Sequence, residues 1–125
     1  MEHILENNKL KIKVNSHGAE LTEIINKKNN LSYLWDANPA YWKRCSPVLF
    51  PNVGKYYNGK YTYDGIEYYQ GQHGFARDME FELLDKTDSY ISFVLNSSEN
   101  TLKVEKVDGY KTLYAVTPTA EDGNK

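Results

Sequence analysis

Two dipeptides, Asn58-Gly59 and Asp64-Gly65, bracket the four residues Lys60-Tyr61-Thr62-Tyr63. Asn-Gly and Asp-Gly are the pairs that tolerate two consecutive positive φ angles, the requirement of the type I′ turn whose twist matches a β-hairpin. Their flanks, Lys55-Tyr56-Tyr57 before and Ile66-Glu67-Tyr68-Tyr69 after, are rich in tyrosine, a strand-forming residue. The spacing predicts a three-strand meander carrying tyrosines. A chain reversed twice within so few residues is committed to β-structure there.

The rest of the pattern agrees. Leu10, Ile12 and Val14 alternate with Lys9, Lys11 and Lys13, which predicts a half-buried strand with lysines in water. His17-Gly18 breaks it, Ala19 to Ile25 resumes with Leu21 inward, and Asn26 to Asn30 is a polar turn before the apolar run Leu31 to Trp35. Met79 to Leu84 and Tyr90 to Leu95 predict an antiparallel pair around Asp85 to Ser89, with a last strand over Tyr110 to Thr117. Pro39, Pro47 and Pro51 make Asp36 to Pro51 an ordered loop, with room for one helical turn at Ala40 to Lys43. Aromatics are 14% of the chain and eleven are tyrosine, while apolar stripes of helical period are absent. The expectation is an all-β antiparallel domain over residues 1–117 with a frayed polar tail at 118–125.

Lys plus Arg number 15 against 17 for Asp plus Glu, a net charge of −2 without a basic stripe, which argues against a nucleic-acid partner. The first residues lack a cationic segment followed by an apolar run, and no stretch is long enough to span a bilayer, so a cytoplasmic protein without a membrane partner is expected. Cys45, the single cysteine, excludes an internal disulfide and reads as a small core residue rather than a nucleophile. No metal and no cofactor are expected.

The segment Gln72-His73-Gly74-Phe75-Ala76-Arg77-Asp78 gathers an imidazole, a guanidinium and a carboxylate in a break between strands. Loops held by a rigid sheet are favoured places for binding groups. Gly74 removes a side chain beside His73, and Arg77 can make forked hydrogen bonds to oxygen ligands. Chemistry alone leaves a second reading equally open, in which Arg77 pairs with Asp78 or Glu80 and His73 caps a turn.

These residues, preceded by Ser46-Pro47-Val48-Leu49-Phe50-Pro51-Asn52-Val53-Gly54, resemble the opening part of the aldose 1-epimerase (galactose mutarotase-like) family, in particular its LacX-like branch. Gly18-Ala19-Glu20-Leu21, Leu34-Trp35 and Tyr41-Trp42 fit the same order of motifs, and the resemblance extends to about Leu102. It implies part of a large antiparallel β-sandwich, the galactose mutarotase-like supersandwich. It also implies an isomerase of carbohydrate metabolism that interconverts the α and β anomers of an aldose, a hexose being the expected small-molecule partner. Ring opening takes one group to protonate the ring oxygen and another to accept the anomeric hydroxyl proton. By resemblance, His73 matches the earlier histidine that assists the reaction and holds the sugar. Lys55 stands where the family commonly has arginine, and so keeps the charge without the planar fork. Arg77 matches the arginine associated with phosphate in the hexose-6-phosphate branch. Lys55, His73 and Arg77 are therefore the expected substrate contacts, a neutral hexose being preferred over a hexose phosphate.

The family's general acid and base come from later parts of longer chains, and nothing after Leu102 resembles them. A truncated site without the full proton-transfer pair is expected. His17 reads as a turn residue, His3 fits no catalytic motif, and Glu20, Glu67 and Glu80 read as solvated faces of strands. Two alternatives accompany this reading. A non-catalytic carbohydrate-binding module would stack sugars on the meander and on Trp35, Tyr41, Trp42 and Phe50, although aromatics in such a segment more often pack inward. A truncated product would instead self-associate through unpaired sheet edges.

Overall fold

The computed structural model describes residues 1–104 and 112–117. Strands β1 (Glu2–Glu6), β2 (Leu10–Asn15), β3 (Glu20–Asn26) and β4 (Leu31–Ser32) form one antiparallel sheet in that order. The β1–β2 turn is closed by Asn7, whose Oδ1 accepts the N–H groups of Lys9 and Leu10, both at 2.8 Å. An Asx side chain of this kind stands in for a backbone acceptor and fixes the reversal. As the alternation requires, Val14 is buried and Ile12 packs against the core, but Leu10, at the open end of β2 opposite Asn26, is exposed. Lys13 reaches across to Glu23 at 3.5 Å. β1, with Leu5 buried and Ile4 exposed, carries too little alternation to mark it in the sequence.

Strands β5 (Lys60–Tyr63) and β6 (Ile66–Tyr69) pair antiparallel, with Tyr63 opposite Ile66. Asp64 (φ 50°) and Gly65 (φ 76°) are both left-handed, so this two-residue hairpin is as the dipeptide predicts. The expected meander, however, is corrected to a single hairpin. Asn58 and Gly59 do turn with positive φ (55° and 70°), but they lie within a short 3₁₀ segment, Tyr57–Gly59. The residues before it form no strand. The turn is local, whereas a third strand needs pairing along the other edge of β5; the Gly59 carbonyl, which accepts Gln70 N–H at 3.0 Å, only extends the β5–β6 ladder. Tyr61 stacks on Tyr68 at 5.3 Å and meets Tyr56 at 5.1 Å, so the tyrosines form a ladder across the hairpin.

The last sheet has the order β7 (Glu82–Lys86), β8 (Ile91–Asn96), β9 (Thr112–Thr117), all antiparallel. Both expected strands of the β7–β8 pair exist, with β7 starting three residues later than the pattern suggests. The predicted last strand is present as β9. The predicted tail, 118–125, lies outside the described residues. One helix, α1 (Glu99–Val104), was not foreseen. Its signal is Ser98-x-x-Thr101: Ser98 Oγ accepts Thr101 N–H at 3.3 Å and Thr101 Oγ1 accepts Ser98 N–H at 2.8 Å, a reciprocal N-terminal cap.

β8 is the centre of the core. All five residues from Ile91 to Leu95 are buried, and Ile91, Phe93 and Leu95 join Leu5, Val14, Ala19, Ala76 and Phe81 in one cluster. The first sheet is tied to the entry of β7 by backbone bonds from Gly18 N–H to Met79 O (2.7 Å) and from Phe81 N–H to Ser16 O (2.9 Å). Gly18 is needed here, since its φ is +76° and a Cβ would lie 2.6 Å from the carbonyl oxygen of Arg77.

The loop from 36 to 51 is irregular, as its prolines require, and the expected turn reduces to the N–H groups of Tyr41 and Trp42 both bonded to Asn38 O at 3.0 Å. The inward packing expected of its aromatics is corrected. Trp35 is 42%, Trp42 50% and Tyr41 81% exposed, and only Phe50 packs on the core. Trp35 Nε1 donates to Trp42 O at 2.6 Å and its ring meets Tyr41 edge-on at 6.1 Å, so these side chains hold the loop against itself. Among the described residues no helix is long and apolar enough to cross a membrane.

Candidate functional site

Two loops cross at Phe50 and Gly74, which form a parallel bridge. The Phe50 carbonyl accepts the N–H of Phe75 (3.0 Å) and of Ala76 (3.1 Å), and the two phenyl rings meet edge-on at 6.3 Å. A Cβ on Gly74 would lie 2.1 Å from the Phe50 oxygen, so the crossing exists only because this residue has no side chain. Ala76–Asp78 then make one 3₁₀ turn, with Ala76 fully buried as its anchor.

The crossing places His73 against Gly54. His73 is half-buried and left-handed (φ 64°). Its backbone N–H donates to Gly54 O at 2.8 Å, and its ring Nδ1 accepts Gly54 N–H at 2.8 Å. A ring nitrogen that accepts an N–H carries no proton, so in the neutral imidazole the proton is on Nε2. The side-chain amide of Gln72 lies 3.3 Å from Nε2, the only side chain in hydrogen-bond reach of that atom among the described residues. What the arrangement offers is therefore an oriented N–H donor. No carboxylate makes an ion pair with His73 among the described residues.

Lys55 follows Gly54 directly, is exposed, and makes no hydrogen bond or ion pair among the described residues. Arg77, three residues beyond Gly74, is turned along its own loop: Nη2 donates to Gln72 O at 2.9 Å and Nε faces Asp78 Oδ2 at 3.9 Å. Asp78 is shared with Arg44, whose Nη2 lies 2.7 Å from Oδ1. Of the two sequence readings of this segment, Arg77 beside Asp78 is present geometrically, but Glu80 pairs elsewhere. Glu80 accepts from Ser16 Oγ and lies 3.5 Å from His17 Nδ1. That contact, with the Ser16 hydrogen bond first, holds the Glu80 carboxyl below its ordinary pKa.

The solvated-face reading fits Glu67, which pairs with Lys60 at 3.1 Å, but is corrected for Glu20. Its Oε1 accepts the N–H of Cys45 (2.7 Å) and of Ser46 (3.0 Å), and so anchors the start of the strap that carries Gly54. Cys45 itself is half-buried with Sγ 3.2 Å from Trp35 O, and burial, then the Glu20 and Asp36 charges, push its thiol pKa up, away from nucleophile chemistry. His3 meets Phe93 edge-on at 5.4 Å and, like His17, stands in the first sheet's neighbourhood.

Asn52 had no role in the sequence reading. It is buried, and its Nδ2 donates to Gly54 O at 3.0 Å. Only its place in the Ser46 to Gly54 motif hinted at it.

The sequence profile of the aldose 1-epimerase family matches residues 1–105, most of this 125-residue chain. The chain belongs to the aldose 1-epimerase family. Plasmid-encoded protein LacX of Lactococcus lactis subsp. lactis is 33% identical over 103 residues, covering 78% of this chain and 34% of that protein. The chain thus spans about a third of the length of the curated relatives it matches. A galactose mutarotase-related enzyme from Lactobacillus acidophilus superposes with a TM-score of 0.82 at 43% identity, over 83% of this chain and 35% of that one. A galactose mutarotase-like protein from Lactobacillus casei gives 0.87 at 35% identity, over 93% and 39%. The all-β antiparallel architecture of this aldose 1-epimerase family member is thus the opening portion of the galactose mutarotase-like fold.

Proposed function

We propose that this chain supplies the sugar-holding part of an aldose 1-epimerase site, with His73 as the residue that grips an oxygen of an aldose. The observation that carries the reading is the fixed ring of His73: with Nδ1 occupied by Gly54 N–H, the ring proton is on Nε2, where the Gln72 side-chain amide, 3.3 Å away, is the neighbour a sugar oxygen would displace. A hemiacetal offers only oxygen acceptors and hydroxyls, so a donor held rigidly at one atom selects the orientation of the ring. Lys55, exposed beside the clamp, is placed for a second, less directional contact. Arg77 contributes mainly through Gln72, whose carbonyl its guanidinium holds. Since the guanidinium is turned into its own loop, with Nη2 on Gln72 O and Nε buried facing Asp78, a neutral hexose fits this portion better than a hexose phosphate.

Anomer interconversion needs a donor and an acceptor of protons on opposite sides of the sugar. Within the described residues His73 faces no carboxylate, so the proposed contribution is holding and polarising rather than the complete proton transfer. Titration calorimetry of the chain with galactose, glucose and their 6-phosphates tests this. Binding of neutral hexoses, weakened about tenfold in His73→Ala, is the expected result. No heat from any sugar, or an unchanged affinity in the variant, would remove the reading. Polarimetry on freshly dissolved α-galactose adds the second measure, with little acceleration expected from this chain.

A further inference from the structure

Asn52 is 9% exposed, and its side chain spends its donor on a backbone carbonyl that already has a partner. Gly54 O accepts His73 N–H at 2.8 Å and Asn52 Nδ2 at 3.0 Å. The opposite side of the same glycine presents its N–H to His73 Nδ1. Gly54 has φ +85°, a left-handed conformation, yet a Cβ built on it meets nothing within 4 Å. The glycine is thus required for its backbone angle and not for close approach, and its peptide groups are held by hydrogen bonds rather than by packing on the side where a Cβ would stand. Since glycine's own dihedral preferences are weak, the direction of the N–H is set by the hydrogen bonds on the adjoining groups. Apart from the His73 ring itself, Asn52 is the only side chain that hydrogen-bonds Gly54 among the described residues. Meanwhile Asn52 Oδ1 is buried without a hydrogen-bond partner there, so retaining this amide costs desolvation that the single bond offsets only in part. A residue kept for packing alone would be apolar.

We propose that Asn52 is the positioning residue that sets the His73 tautomer, acting through Gly54. It holds the Gly54 carbonyl, which keeps the Gly54 N–H aimed at Nδ1, which leaves the ring proton on Nε2, where the sugar is proposed to bind. Outer hydrogen bonds of this sort decide which ring nitrogen of a functional histidine is protonated. The use of the Nε2–H rests on the sugar-holding reading above, but the tautomer assignment does not.

The test is long-range proton–nitrogen correlation on the ¹⁵N-labelled full chain at a pH where the rings are neutral, with His3 and His17 as internal controls. The expected result in the wild type is an excess of the Nε2–H form of His73 about fivefold to tenfold above that of free histidine, which is what one net hydrogen bond supports. A coupling across the hydrogen bond between Gly54 N and His73 Nδ1 should accompany it. In Asn52→Ala the excess and the coupling should both fall, while the amides of the β5–β6 hairpin stay dispersed. Asn52→Ser, which keeps a short donor, should recover part of the excess. A wild type without the excess, or an Asn52→Ala chain that is folded and keeps it, overturns the proposal. Should Asn52→Ala fail to fold, the wild-type coupling and the Asn52→Ser ratio decide instead. If the tautomer is locked and no sugar binds, the functional reading fails and this one stands.

Discussion

One glycine, Gly54, holds both the ring and the backbone of His73, a residue 19 positions later: its N–H donates to Nδ1 and its carbonyl accepts the His73 N–H, each at 2.8 Å. The left-handed backbone of His73 costs about 1–2 kcal/mol. Two hydrogen bonds, each contributing about 0.5–1.5 kcal/mol net, offset it. His73→Ala removes the ring acceptor, keeps the strained backbone and leaves the Gly54 N–H without its partner. The expected loss is about 1–3 kcal/mol in urea denaturation. His73→Asn, which tolerates the left-handed region better, should recover part of that stability without recovering sugar binding.

Gly74 is the most constrained glycine in the site. Alanine there would set a Cβ 2.1 Å from the Phe50 oxygen and 2.6 Å from Pro51 N, at φ +74°. Neither obstacle is a flexible side-chain end, so the crossing of the two loops must open. Overpacking and the left-handed penalty together predict a loss of about 2–5 kcal/mol. Urea denaturation of Gly74→Ala measures it, and a loss under about 1 kcal/mol would mean that the two loops separate easily.

What the sequence displayed and what it concealed divide by range. Asp64-Gly65 specified its hairpin because both positive φ angles and both strands lie within ten residues. Asn58-Gly59 specified its turn equally well, but whether a strand precedes a turn depends on pairing beyond the turn, and Lys55 to Tyr57 form no strand. The His-Gly-Phe-Ala-Arg motif pointed to His73 and Arg77, but Nδ1 pairing with Gly54 could not be read from residues so far apart. Glu20 looked like any polar strand position, since its role depends on Cys45 and Ser46 reaching it from a loop 25 and 26 residues away. Trp35, Tyr41 and Trp42 stay exposed because hydrophobicity alone does not decide burial. The loop they stabilise lies on the surface, and their apolar faces remain in contact with solvent.

Glu20 yields a prediction that separates anchoring from mere solvation. One oxygen accepts two backbone N–H groups, so Glu20→Ala leaves two donors at a half-buried position to find water. A cost of about 1–3 kcal/mol is expected, discounted toward the lower end by the partial exposure. Amide hydrogen exchange at Cys45 and Ser46 should accelerate by about tenfold or more, while exchange in β8 changes only by the global loss. Unchanged protection at those two amides would show that the loop is held by other contacts.

The acid side of the stability curve should fall in two successive windows, one from His3 and one from carboxylates that include Glu80. His3 is held below its ordinary pKa of 6.5, first by burial and then by the positive charges of Lys86 and the α-amino group. The unfolded chain therefore binds a proton there more readily than the folded one. Its stabilising contribution is complete above about pH 6.5 and is lost as pH falls through the lower, folded value. Glu80 is held below its ordinary 4.5, chiefly by the Ser16 hydrogen bond, and its contribution is likewise complete above that value and lost as pH falls further. Both groups thus weaken the fold on acidification, in successive windows. Urea midpoints from about pH 3 to about pH 8 should fall in both windows for the wild type. His3→Phe, which keeps a ring against Phe93, should flatten the upper one, and Glu80→Gln should reduce the lower one in part, since Glu6 and Glu67, lowered by their bonds to Lys27 and Lys60, share that window. If Glu80→Gln instead left the lower slope intact, the tie between Ser16 and Glu80 that joins the first sheet to the entry of β7 would contribute nothing to folding.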